Sequence, residues 1–162
     1  SLPQGIATGG GATAACLATA VVALQLAPVS VGSQTEIPGQ LAASDVCVSA
    51  SHGEGLPVAV IEALACGCPV VLTDIPPHRE LSLGLDAVRL FPVGDPVQAA
   101  DHLRALAACT PSERAESGRA GRTHVEAHYS LDAMHRAYEP IYSAAAGRPL
   151  TTLDAGGPRS DS

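Results

Sequence analysis

The sequence predicts an α/β fold built on a parallel sheet, and two observations carry that expectation. Short apolar, β-branched runs recur between longer helical patterns, and from Pro96 onward the pattern turns wholly helical. The runs Val29-Ser30-Val31, Val46-Cys47-Val48-Ser49, Pro69-Val70-Val71-Leu72 and Ala87-Val88-Arg89-Leu90-Phe91 read as strands. Strands of a parallel sheet are covered on both faces, so they show continuous apolar runs instead of alternation. Helices are expected between them at residues 37–43, 58–66 and 77–83.

Three further helices are expected at residues 97–108, 112–128 and 131–146. Pro96 and Pro111 suit first-turn positions, where the missing N–H costs nothing, and Asp95, Thr110 and Ser130 are candidate N-caps. The tail, residues 148–162, is rich in Gly, Pro, Ser and Thr and is expected to be disordered, leaving residues 1–147 as one domain. The apolar stretch 12–24 has no cationic residue before it and is shorter than a membrane span, so it reads as a helix of a soluble fold.

Composition narrows the function. Hydrophobic residues make up 46% of the 162, enough for a buried core. The formal net charge is -7, all nine basic residues are Arg, and the first of them is Arg79. Nucleic-acid binding, which needs a cationic face, is therefore not expected, and an anionic small ligand would have to be met by backbone N–H groups. The five Cys (Cys16, Cys47, Cys66, Cys68, Cys109) are odd in number and sit mostly in apolar segments. They read as buried free thiols of a cytoplasmic protein, and the spacing of Cys66 and Cys68 matches neither a zinc knuckle nor a redox pair.

The stretch Ser49-Ala50-Ser51-His52-Gly53-Glu54-Gly55-Leu56-Pro57 leaves an expected strand and enters an expected helix. In an open α/β sheet, ligands lie outside the carboxyl ends of the strands, where this loop falls. Gly53 and Gly55 let backbone approach a ligand, and the unpaired N–H groups of the first helical turn suit an anionic diphosphate. Glu54 on the loop and Glu62 in the helix could flank one ligand, the second accepting from vicinal hydroxyls. The same pair also fits a helix-dipole partner beside a solvated side chain. His52 reads more readily as a solvated loop residue than as a donor contact, and Arg79 in Pro76-Pro77-His78-Arg79-Glu80 more readily as part of a solvated helix than as an anion contact.

The run Glu54-Gly55-Leu56-Pro57-Val58-Ala59-Val60-Ile61-Glu62-Ala63-Leu64-Ala65-Cys66-Gly67-Cys68-Pro69-Val70-Val71 closely resembles the signature of family 4 retaining glycosyltransferases. Leu41-Ala42-Ala43-Ser44-Asp45-Val46, Thr73-Asp74-Ile75, Pro92-Val93-Gly94-Asp95-Pro96 and Tyr129-Ser130-Leu131 extend the match on both sides. Ile6-Ala7-Thr8-Gly9-Gly10-Gly11 resembles the end of the family's second C-domain strand, without the acidic residue usual there.

The resemblance implies the C-terminal, Rossmann-like domain of a GT-B enzyme, incomplete because its first strand is missing, with C-terminal helices. It implies a nucleotide-sugar donor linked through UDP or GDP, transfer with retention of configuration, and no metal, since no Asp-x-Asp motif is present. Glu54 would lie at the donor sugar as the catalytic carboxylate and Glu62 at the ribose, with Gly53 lining the site and the N–H groups around Gly55, Leu56 and Val58 at the diphosphate. His52 and Arg79 would border the sugar pocket.

A sugar, lipid or small-molecule acceptor belongs, by the same resemblance, to an N-terminal domain outside this sequence. Without it, and without the family's phosphate-binding cations, the chain alone is expected to be inactive. A peripheral place at the inner face of the membrane stays open. In the family's strand order 3-2-1-4-5-6, loss of the first strand would part the run at Val29 from the run at Val46 and leave two unpaired edges. The competing expectations are a non-catalytic α/β interaction module with weak nucleotide affinity, and a non-hydrolysing sugar-nucleotide epimerase of similar architecture.

Overall fold

A computed structural model of the chain describes residues 6–8, 28–29, 37–82 and 84–147. The expected helix at 12–24, Cys16 and the tail at 148–162 lie outside the described residues. The described residues fall into two units, divided between residues 126 and 127.

The first unit is built on a five-stranded, wholly parallel sheet. Its strands are β1 (Ile6–Thr8), β2 (Pro28–Val29), β3 (Val46–Ser49), β4 (Val70–Thr73) and β5 (Val88–Phe91), in the spatial order β2-β1-β3-β4-β5. Its helices are α1 (Ile37–Ala43), α2 (Val58–Ala65), α3 (Pro76–Leu81), α4 (Pro96–Ala108) and the greater part of α5 (Pro111–Tyr129).

The expected parting of the sheet is not found. β1 pairs directly with β3, Ile6 opposite Val46, Ala7 opposite Cys47 and Thr8 opposite Val48. Strand β3 therefore has a ladder on both sides, since Cys47 to Ser49 also run beside Val70 to Leu72 of β4. Backbone N–H and C=O groups left bare along a central strand are costly, and parallel pairing with β1 removes that cost.

Strands β3 and β4 are buried at all four positions, as sheet strands covered on both faces must be. Val46, Val48, Val71 and Phe91 form one core with Ala99, Ala100, Leu103 and Leu106 of α4. Side chains alternate across a strand, which sends Cys47, Val70 and Leu72 to the opposite face. Burial pushes the Cys47 thiol up to about 12 and raises that of Cys68 further still, so neither is a nucleophile near neutral pH.

The helix ends follow their local chemistry. Asp95 Oδ1 accepts from the N–H groups of Val97 and Gln98 at 3.1 and 3.0 Å and starts α4. Thr110 and Glu113 form a reciprocal cap on α5: the Glu113 N–H donates to Thr110 Oγ1 at 3.3 Å, and the Thr110 N–H donates to Glu113 Oε2 at 2.7 Å. Helix α5 passes close to the turn after α2. A Cβ on Gly118 would stand 2.0 Å from the Gly67 carbonyl oxygen, and one on Gly121 would stand 2.8 Å from Leu64 Cδ2.

The second unit holds the end of α5 and α6 (Leu131–Ala146), capped by Ser130 Oγ, which accepts from the Ala133 N–H at 3.1 Å. It ends at Gly147 in the left-handed conformation, φ 64°. Leu131, Met134, Tyr138, Ile141 and Tyr142 are all exposed along α6, with Tyr138 and Tyr142 stacked one turn apart.

Candidate functional site

The loop after β3 and the segment after β4 meet at the carboxyl edge of the sheet, because β3 and β4 run side by side in the same direction. The buried Thr73 hydroxyl donates to the Ser51 carbonyl oxygen at 2.5 Å and fastens the loop to the end of β4. Glu54 sits on this loop with a quarter of its side chain exposed. Ser49 Oγ donates to Glu54 Oε1 at 3.4 Å and lies 3.2 Å from Ser51 Oγ.

Behind Glu54 stands His78, on α3, fully buried. Its Nδ1 donates to the Thr73 carbonyl oxygen at 2.7 Å, which fixes the ring and places a proton on that nitrogen. The other nitrogen, Nε2, is buried without a hydrogen-bond partner and lies 3.8 Å from Glu54 Oε1. His78 is the site residue that sequence reasoning did not single out. The signal was its place just after β4, at the same sheet edge as the Glu54 loop.

Among the described residues, the glycines beside Glu54 are uncrowded. A Cβ on Gly53 or Gly55 would meet nothing within 4 Å, and Leu56 and Val58 are exposed at 63% and 52%. Neither glycine has a positive φ. Among the described residues, nothing in the packing or backbone requires glycine at 53 or 55. Helix α2 starts here with no side-chain cap hydrogen bond and no acidic residue in its first turn.

Two hydrogen-bond arrangements bear on the expected contacts in this region. The Val58 N–H, expected at a diphosphate, donates to the Leu56 carbonyl oxygen at 2.9 Å, and the Val60 and Ile61 N–H groups both donate to Pro57 O. Arg79, weighed as a possible border of the sugar pocket, pairs with Asp74: its Nε donates to Asp74 Oδ1 and its Nη2 to Oδ2 at 2.9 Å. That guanidinium holds the Asp74 carboxyl below its ordinary range. Glu62 is exposed on α2, one turn beyond the helix start, and His52 is exposed on the loop.

Among the described residues no three His, Cys, Asp or Glu side chains gather as metal ligands, and no helix is long and apolar enough to cross a membrane.

The fold has counterparts among known proteins. No curated protein sequence matches the chain. Among solved structures, a sucrose-phosphate synthase from Thermosynechococcus elongatus matches with a TM-score of 0.65 and 23% identity, over 87% of this chain and 39% of that one. The structure described as the glycotransferase of kitacinnamycin matches with a TM-score of 0.56 and 20% identity, over 86% of this chain and 42% of that one. This chain thus spans about two fifths of either structure, and at such identities the likeness establishes the shared GT-B fold. A family model described as "Glycosyl transferases group 1" matches residues 7–109, from β1 through the Glu54 loop to the end of α4, and the chain belongs to that family.

Proposed function

We propose that this chain is the donor-binding part of a metal-independent, retaining glycosyltransferase that takes a UDP- or GDP-linked sugar. The observation that carries the reading is the Glu54 loop: a carboxylate held from behind by Ser49 and faced by His78, with open glycines before it and an uncapped helix start beside it. A diphosphate is dianionic and fits the helix N-terminus, while Glu54 accepts from hydroxyls of the transferred sugar. Glu62, one turn along α2, accepts from the ribose hydroxyls. Transfer then proceeds by attack on the face from which the diphosphate departs, with the leaving phosphate taking the acceptor's proton, so no protein nucleophile is needed.

The Val58 N–H bond to Leu56 narrows the backbone donors to the Gly55, Leu56 and Ala59 region, or requires the loop to shift on binding. With Arg79 tied to Asp74, the helix end is the main positive feature of the site, and it is worth about 0.3 to 1 kcal/mol. Donor affinity in this chain is accordingly modest.

Calorimetric titration of the chain with UDP, GDP, UDP-glucose and GDP-mannose tests the reading. Saturable binding of one nucleotide series is expected, weakened about tenfold by Glu62→Ala for nucleotide and nucleotide sugar alike. Glu54→Ala is expected to weaken only the added affinity that the sugar brings. Absence of saturable binding across all four ligands removes the proposal. Binding that neither substitution alters returns the chain to the non-catalytic alternative.

A further inference from the structure

Glu54 and His78 confront each other with a mismatch. Nδ1 of His78 gives its proton to Thr73 O, so in the neutral ring Nε2 carries only a lone pair, and it faces a carboxylate oxygen that is also an acceptor. The His78 ring is 0% exposed, and Glu54 Oε1 already accepts from the Ser49 hydroxyl. A buried acceptor without a donor is costly, and a single proton between Nε2 and Oε1 removes the cost on both sides.

We propose that His78 is a positioning residue for Glu54: the two share one proton, and the imidazole holds the carboxylate in the orientation that meets the sugar. The proposal rests on the donor-binding reading above and extends it to a residue on a different element. Thr73 completes the device, since its carbonyl oxygen sets the ring and its hydroxyl sets the loop that carries Glu54. The 3.8 Å separation closes to a hydrogen bond with a small turn of the partly exposed Glu54 side chain, which requires no movement of the buried ring.

Two measurements on the full chain test this separately from the donor reading. In a 15N-labelled sample, long-range 1H–15N correlation of the His78 ring is expected to show a protonated Nδ1, and Glu54→Gln is expected to shift Nε2 while leaving Nδ1 in place. An Nε2 resonance indifferent to Glu54→Gln overturns the proposal whether or not any sugar nucleotide binds.

The second measurement compares His78→Asn and His78→Gln. The Asn amide can replace Nδ1 toward Thr73 O but does not reach Glu54, whereas the Gln amide can reach the place of Nε2. His78→Asn is expected to lower about tenfold the ratio of UDP-glucose to UDP affinity, or of GDP-mannose to GDP affinity, with the nucleotide alone unaffected. His78→Gln is expected to restore most of the ratio. An unchanged ratio in His78→Asn, with circular dichroism showing the fold retained, overturns the positioning role. A shifted Nε2 together with no binding of any of the four ligands supports the coupling and removes the donor reading instead.

Discussion

The Thr73 hydroxyl and the Ser51 carbonyl oxygen, 2.5 Å apart, join the end of one buried strand to the loop that leaves its neighbour. Thr73 is 1% exposed, so Thr73→Val keeps the shape and deletes the donor, leaving the Ser51 carbonyl without it. Such a loss costs about 1 to 3 kcal/mol. Urea unfolding should register that loss, and donor affinity should fall with it because the Glu54 loop is no longer held. Stability equal to the parent chain would mean that water takes over the bond.

Gly53 and Gly55 separate stability from binding. Since a Cβ at either position meets nothing within 4 Å among the described residues and neither φ is positive, Gly53→Ala and Gly55→Ala should leave the unfolding free energy within about 0.5 kcal/mol. A diphosphate pressed against that backbone would meet the new methyl group, so nucleotide affinity should drop about tenfold or more. Unimpaired nucleotide binding in both variants would place the ligand elsewhere on the sheet edge.

Much of this architecture was legible because its signals are local. Residues 37–43, 46–49 and 131–146 were expected from apolar patterning and caps and were found with those limits. Asp95, Thr110 and Ser130 all cap as their residue types suggest. Sheet closure was not legible, because strand pairing is set by which backbone groups must be satisfied after collapse, and β1 taking its place beside β3 leaves no mark on either run. His78 was missed for a similar reason: a histidine in an ordinary-looking short helix gains meaning only when the topology sets it behind Glu54. Arg79 was weighed as an anion contact, yet Asp74, five residues earlier, claims it through two hydrogen bonds.

The close passage of α5 over the turn after α2 depends on two glycines. A Cβ on Gly118 would stand 2.0 Å from Gly67 O and 2.9 Å from Gly67 C, both backbone atoms that cannot rotate away. Gly118→Ala should therefore force the helix off the turn and cost about 1 to 3 kcal/mol, at the upper end because no side chain can yield. Gly67→Ala meets a different obstacle, its φ of 75°, and should cost about 1 to 2 kcal/mol. A thermal unfolding midpoint for Gly118→Ala matching that of the parent would show that α5 does not rest on this turn.

Acid should weaken the start of α5. Hydrogen bonds from the Thr110 N–H and hydroxyl hold the Glu113 carboxyl below its ordinary value. A carboxyl whose folded value is depressed contributes stability above its unfolded value, about 4.3 for Glu, and loses it as the pH falls through the lower folded value. Asp74, held down by Arg79, acts in the same direction. Glu113→Ala should therefore lower the urea midpoint at about pH 7 and make almost no difference at about pH 2, where the parent carboxyl is itself protonated. An equal effect of the substitution at both pH values would show that Glu113 stabilises α5 through its helix propensity alone, and not through the cap it forms with Thr110.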